Sequence, residues 1–209
     1  MAAFISALAA ASTSHAIIIS TFDTDTDGWT KLSGSDASSS VEWISTGGNP
    51  GGFLRYDEVG SGFVDFVAAP VKFLGSQSGA YGKTLSFDIM TNTLSDPTNF
   101  NDQVKLISDG LTLRYQLPNP EPVNEWHHRE IELTETSGWI NNSTGLAPSQ
   151  ADMTAVLSNL TGLHLLTDYR NGPEQVAYDN ITLVPEPPTT ALLFVGAAAV
   201  FVALRRRKK

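Results

Sequence analysis

Short segments that alternate apolar and polar residues recur along this 209-residue chain, and this pattern constrains its fold most. A period of two places successive side chains on opposite faces of a β-strand. Gly, Pro, Asn and Asp separate the segments, and Asp109-Gly110 between two of them is typical of a hairpin turn. The predicted strands span 17–22, 41–45, 53–56, 63–67, 84–90, 104–107, 111–117, 128–133, 163–169 and 176–184. This spacing predicts an all-β sandwich or jelly roll rather than a parallel sheet.

The alternation also assigns the two faces of individual strands. Residues expected to point into the core are Leu85, Phe87, Ile89, Ile131 and Leu133. Their neighbours Asp88, Glu130 and Glu132 are then expected on the opposite face.

One short helix is predicted near residue 150. Ser149 has the side chain of an N-cap, and Asp152 would lie in the first helical turn. The apolar residues that follow helical spacing are Met153, Val156, Leu157 and Leu160. We expect this helix to close one end of the sandwich.

Charge and cysteine content exclude several classes of function. The chain has no cysteine, which excludes disulfides, thiol catalysis and Cys-ligated zinc. Of the 22 acidic residues all but Glu186 lie within 17–184, whereas five of the 13 basic residues end the chain. The 17–184 segment therefore has a formal net charge of −13, which would repel nucleic acid. This length is enough for one domain with its own core.

The C-terminal segment has three parts in a fixed order. Val184-Pro185-Glu186-Pro187 is followed by an apolar run and then by the basic residues 205–209. The run predicts a transmembrane helix over about 189–204, which is short for a hydrocarbon core of about 30 Å. Arg205, Arg206 and Arg207 are expected to stop transfer and to stay on the cytoplasmic side. Prolines before the helix predict an extended segment that a protease can reach.

This order resembles the PEP-CTERM sorting signal of Gram-negative bacteria. The resemblance covers residues 185–209 and the preceding valine. It implies cleavage by an exosortase near residues 184–187, transient residence in the inner membrane, and release or attachment at the cell surface. It also implies a link to exopolysaccharide and biofilm. A permanently anchored single-pass surface protein is the alternative.

The N-terminal segment is consistent with export. Residues 1–16 are small and apolar and end in Ser14-His15-Ala16, which fits a signal peptidase site after Ala16. The segment contains no Lys or Arg, and an Ala-rich N-terminus without a targeting role is the alternative. The predicted organisation is a signal peptide over 1–16, a β-sandwich over 17–184 and a sorting signal over 185–209.

The body of the chain resembles the laminin B domain, also called laminin IV type A. The most specific stretch is Ala69-Pro70-Val71-Lys72-Phe73-Leu74-Gly75, and Val176-Ala177-Tyr178-Asp179-Asn180-Ile181-Thr182-Leu183 ends the match. The resemblance implies a galactose-binding-like jelly roll in an extracellular, non-enzymatic module. Many relatives of that shape bind carbohydrate on a loop edge or a sheet face. The family lends no catalytic residues.

One acidic run has the spacing of metal ligands. Asp23, Asp25 and Asp27 alternate, and Gly28 follows as in a calcium loop. The twelfth position is Gly34 instead of an acid, so the run departs from an EF-hand. A structural Ca²⁺ held by these residues and Asp179, or an acidic loop without an ion, remain the two interpretations.

Tryptophans are the candidates for sugar stacking. Trp126 and Trp139 lie near predicted strand ends, where one exposed indole could stack on a sugar ring. Core packing is the alternative for both, and Trp43 is expected in the core because it follows Val41 and precedes Ile44.

Catalytic motifs are weak. His127 and His128 are adjacent and would point to opposite faces of a strand, so they are poorly placed to share a metal. Gly75-Ser76-Gln77-Ser78-Gly79 lacks the central serine of a nucleophile elbow. A glycoside hydrolase-like enzyme remains an alternative, because several glutamates between 121 and 135 could supply a carboxylate pair. We expect a non-enzymatic exported protein that binds polysaccharide or builds matrix.

Overall fold

Two six-stranded antiparallel sheets form the structure, a computed structural model that describes residues 17–32, 37–59, 64–92, 97, 102–117 and 123–184. The strands are β1 (Ile18–Ser20), β2 (Thr30–Lys31), β3 (Ser40–Gly48), β4 (Gly51–Asp57), β5 (Phe66–Ala68), β6 (Thr84–Thr91), β7 (Val104–Ser108), β8 (Leu111–Tyr115), β9 (His127–Glu132), β10 (Ile140–Asn141), β11 (Gly162–Leu166) and β12 (Gln175–Leu183). Helix α1 spans Gln150–Ser158, and two 3₁₀ helices span Val71–Phe73 and Ser78–Ala80.

The order of strands defines two packed layers. Sheet 1 runs β3-β4-β12-β6-β9, and sheet 2 runs β10-β8-β7-β11-β5-β2. Strand β12 has β6 along one edge, whereas β4 and β1 share its other edge, at residues 175–178 and 181–183 respectively. The predicted β-sandwich is therefore confirmed.

The core lies between the sheets and follows the predicted alternation. Inward-facing residues that are at most 1 % exposed include Leu85, Phe87, Ile89, Ile131 and Leu133. Glu130 and Glu132 are exposed, as predicted. Asp88 lies on the outer face of β6 but is buried, because the tip of the β3–β4 hairpin covers it and Asn49 Nδ2 donates to it at 3.2 Å.

Helix α1 begins as the sequence predicts. The Ser149 side chain accepts from the Asp152 N–H at 3.1 Å, and Asp152 Oδ2 accepts from the Ser149 N–H at 2.8 Å, which completes a capping box. The buried face of the helix contains Met153, Val156 and Leu157, and the helix contacts β7 and β8.

The terminal predictions fall outside the described residues, apart from Val184. The signal peptide at 1–16, with Ala16, the cleavage residues 185–187, and the helix and basic residues of 189–209 have no described structure. No helix in the described part of the chain is long and apolar enough to cross a bilayer.

Candidate functional site

An aromatic and polar surface lies on the outer face of sheet 1. Leu54 and Tyr56 of β4 point into the core, so Phe53 and Arg55 of the same strand point outward. The half-buried Trp126, just before β9, packs edge-on against Phe53 with ring centroids 5.6 Å apart. We call Trp126, Phe53, Arg55, Asn92 and Gln175 the Trp126 surface.

Hydrogen bonds hold the polar side chains of this surface in place. Arg55 Nε donates to Asp57 Oδ2 at 2.9 Å, and Arg55 also pairs with Glu42 at 2.8 Å. The Gln175 N–H donates to Asn92 Oδ1 at 3.0 Å, and Asn92 Nδ2 donates back to Gln175 Oε1. Gln175 Nε2 donates to Asp57 Oδ1. The donors and acceptors are therefore preorganised beside the aromatic rings of Phe53 and Trp126.

Two adjoining depressions follow the same surface. The smaller, of about 90 Å³, is lined by Phe53, Arg55 and neighbours on β6 and β12. The larger, of about 590 Å³, extends past Asp57 to Glu58 and Glu174, and Asn92 and Gln175 line both. Aromatic faces flanked by a few fixed polar groups suit a ligand rich in hydroxyls.

The tryptophans occupy different environments. Trp126 is half-buried, and its indole N–H donates to Gly47 O at 3.0 Å. Trp139 lies in the core at 1 % exposure, so core packing is the interpretation that holds for it. Trp43 was expected in the core but is 37 % exposed, because β3 is an edge strand. Its indole N–H donates to Phe22 O at 2.7 Å.

Two of the predicted calcium residues, Asp23 and Asp179, lie near the β3–β4 hairpin tip. Asp179 is fully buried and accepts the N–H groups of Asn49 and Asn180 at 2.6 and 2.7 Å. Burial raises its pKa, as do the negative charges of Asp88 and Asp23. Asp27 pairs with Lys72.

Asp25 Oδ1, in turn, accepts the Asp27 N–H at 2.6 Å. The three loop acids and Asp179 do not meet as one group of ligand oxygens in the described residues. A shared ion at Asp23 and Asp179 remains a proposal.

The histidines take up separate environments. His127 and His128 pair with Ile89 and Asp88 and so point to opposite faces, as expected. His128 Nδ1 lies 2.6 Å from Asp88 Oδ1. His164 lies in β11, and burial, then the charge of Lys105, lowers its pKa.

The sequence did not reveal a second acidic group. Glu58 follows β4, Asp168 follows β11 and Glu174 precedes β12, and their carboxylates approach within 4.8 Å of one another. Glu58 lies 110 positions before Asp168 in the sequence. Only the pairing of β4 with β12 brings Glu58 to Glu174, whose carbonyl accepts the Glu58 N–H at 2.9 Å.

Two known sequence signatures match this chain. The laminin B (domain IV) family matches residues 66–189, and the PEP-CTERM protein-sorting motif matches residues 183–208. Both resemblances seen in the sequence are confirmed. Laminin subunit gamma-2 of Homo sapiens is 30 % identical over 196 residues, and that of Equus caballus is 28 % identical over 193. Each alignment covers 88 % of this chain and 14 % of the laminin subunit, so the chain spans only a small part of these relatives.

Solved structures share the jelly-roll fold. The L4b domain of human laminin alpha-2 superposes with a TM-score of 0.52 at 20 % identity, covering 58 % of this chain and 70 % of that one. A family 30 carbohydrate-binding module of a Clostridium thermocellum cellulosomal cellulase gives 0.51 at 14 % identity, covering 81 % and 98 %. A family 11 module from Clostridium thermocellum, in complex with a β-1,3-1,4-mixed-linked tetrasaccharide, gives 0.50 at 16 % identity, covering 81 % and 95 %.

Likeness at such low identity establishes the fold alone. The match to the laminin B signature, in contrast, spans more than half of the chain. It includes β5 to β12, which are five of the six strands of sheet 2 and three of the six strands of sheet 1. This chain belongs to the laminin B (domain IV) family.

Proposed function

We propose that this protein is an exported, non-enzymatic carbohydrate-binding protein of a bacterial surface or extracellular matrix. The PEP-CTERM motif supports delivery through an exosortase. The carbohydrate-binding modules that share its fold support a glycan as the ligand. A place in an exopolysaccharide or biofilm matrix follows as part of the same proposal.

The Trp126 surface is the observation that carries the proposal. It combines the half-buried indole of Trp126, a phenyl ring packed edge-on against it and fixed donors from Arg55, Asn92 and Gln175. The apolar face of an indole can stack against the C–H groups of a pyranose ring. Side-chain amides and a guanidinium can form hydrogen bonds with the hydroxyl groups of the sugar. Arg55 is already held by two carboxylates, so little side-chain entropy would be lost on binding.

An ion bound at the β3–β4 hairpin tip would stabilise the Trp126 surface. Asp23 and Asp179 flank the β3–β4 hairpin tip: a Cβ at Gly51 would lie 2.8 Å from Asp23 Oδ1, and one at Gly48 would lie 2.8 Å from Asp179 Oδ2. A Ca²⁺ between these two carboxylates would offset their repulsion and fix the tip. Because the tip contains Gly47, which accepts from Trp126, this ion would also help to orient the indole.

A glycan panel tests the proposed function. Purified full-length chain would be titrated with mixed-linkage β-glucan, cellulose, xylan, agarose and bacterial exopolysaccharide, while reducing ends are measured in parallel. We expect saturable binding to at least one polysaccharide without release of reducing ends. No binding to any member would contradict the proposal. Release of reducing ends would show that the protein is a glycoside hydrolase-like enzyme instead.

A further inference from the structure

Three buried carboxylates meet at the end of the larger depression. Glu58 and Asp168 are 7 % exposed and Glu174 is 3 % exposed, and one ligand oxygen from each lies within 4.8 Å of the others. Oxygens that coordinate one Ca²⁺ lie about 2.3–2.6 Å from it, so they are never more than about 5 Å apart. The spacing of the three groups fits a single coordination shell.

Glu174 has an oxygen that the protein does not satisfy. Its Oε1 accepts the backbone N–H groups of Tyr169 and Arg170, the latter at 3.0 Å, which fixes the side chain in the β11–β12 loop. Its Oε2 is buried and has no hydrogen-bond partner among the described residues. A buried acceptor without a partner is costly, so this oxygen points to a missing cation or donor.

Charges of both signs act on Glu174. Asp168 contributes a negative charge beside it. Among the described residues, the cation that acts on Glu174 is Arg170. The internal undescribed segments, residues 33–36, 60–63, 93–96, 98–101 and 118–122, contain no Lys or Arg.

We propose that Glu58, Asp168 and Glu174 form a Ca²⁺ site. Carboxylate oxygens are the ligands that Ca²⁺ prefers, and three of them give the negative charge that a tight site needs. An ion can enter from solvent, because Glu58 and Glu174 line the larger depression. The site joins β4 to the β11–β12 loop and adjoins Gln175 of the Trp126 surface. It is distinct from the hairpin-tip pair and does not depend on carbohydrate binding.

Terbium luminescence tests this site directly. Tb³⁺ takes the oxygen ligands of Ca²⁺, and Tyr169, whose N–H bonds Glu174, is placed to sensitise it. Full-length chain stripped with EDTA should show Tb³⁺ emission on tyrosine excitation, and Ca²⁺ should displace it. Ca²⁺ at about 100-fold above its Kd should raise the Tm by about 5–10 °C.

Isosteric variants assign the signal to the cluster. Glu174→Gln and Asp168→Asn should each lower the Tb³⁺ affinity at least tenfold and remove most of the Ca²⁺-dependent Tm shift. In EDTA, Glu174→Gln should be at least as stable as the wild type, because it removes buried negative charge. The control Glu130→Gln on the exposed face of β9 should leave the whole signal intact. Asp23→Asn tests the hairpin-tip pair separately and should leave the part of the signal that depends on Glu174 and Asp168 in place.

Three outcomes would overturn the proposal. The first is a wild-type chain with no Tb³⁺ signal and no Ca²⁺-dependent Tm shift. The second is a full response in both Glu174→Gln and Asp168→Asn. The third is a response that only Asp23→Asn removes, which would place the ion at the hairpin tip instead.

Discussion

Asp179 in β12 accepts the backbone N–H of Asn49 at 2.6 Å, across 130 positions of sequence. A second N–H, from Asn180, reaches the same carboxylate at 2.7 Å. This contact fixes the β3–β4 hairpin tip against the point where β1 and β4 meet on one edge of β12. The tip in turn supplies the carbonyl of Gly47 that orients Trp126.

Asp179→Ala should therefore weaken the fold. It leaves two N–H groups without their acceptor, and we expect the free energy of unfolding to fall by about 2–4 kcal/mol. Urea denaturation measures the change. Asp109→Ala, at the exposed β7–β8 turn, should change stability by no more than about 0.5 kcal/mol. Equal effects of the two substitutions would contradict the role given to Asp179.

The capping box of α1 gives a smaller, local effect. Ser149→Ala removes the side chain that accepts the Asp152 N–H, so we expect a loss of about 1 kcal/mol in unfolding free energy. Ser158→Ala, at the last residue of the same helix, is the matched control and should cost less. A Ser158→Ala variant that is less stable than Ser149→Ala would argue against the cap.

His164 should make stability depend on pH. Burial and Lys105 lower the pKa of His164 in the folded chain, whereas in the unfolded chain it titrates near about 6.5. Its contribution is therefore complete above about pH 6.5 and is lost as the pH falls through the lowered folded-state value. His164→Gln should reduce the loss of unfolding free energy between about pH 7 and about pH 5. The same change at His127, on β9, controls for the loss of an imidazole, and an unchanged pH profile in His164→Gln would refute the assignment.

Sorting gives a prediction about the mature C-terminus. When the chain is expressed with an exosortase, it should be cut near residues 184–187 and lose the segment that follows. Mass spectrometry should then find no Lys209 in the surface form. Without the exosortase, or with Pro185, Glu186 and Pro187 all replaced by Ala, the full-length chain should persist in the membrane fraction. An intact Lys209 in every case would support permanent anchoring instead.

Local sequence patterns predicted much of the fold. The alternation over 84–89 predicted which residues of β6 face the core, and Asp109-Gly110 predicted the β7–β8 hairpin correctly. Strands β2 and β10 escaped prediction because two residues give no periodicity. Asp88 faces outward as predicted yet is buried, since the covering hairpin tip comes from a distant part of the chain.

The candidate sites were harder to predict than the strands. Trp126 could be named from sequence, but its contact with Phe53 depends on how sheet 1 is assembled. Trp43 was predicted in the core but is 37 % exposed, and of the two interpretations of Trp139 the core one holds; position relative to a strand end does not determine depth. The pairing of β4 with β12 brings Glu58 to Glu174, and Asp168 lies in the β11–β12 loop beside them.

The most direct test of the account compares two matched tryptophans. Trp126 and Trp43 each donate an indole N–H to a backbone carbonyl, but Trp126 alone belongs to the Trp126 surface. Calorimetric titration with the tightest-binding glycan should show that Trp126→Ala weakens binding by about 30-fold or more, whereas Trp43→Ala leaves the Kd within about twofold. An unchanged Kd for Trp126→Ala in a folded protein would contradict carbohydrate binding at this surface.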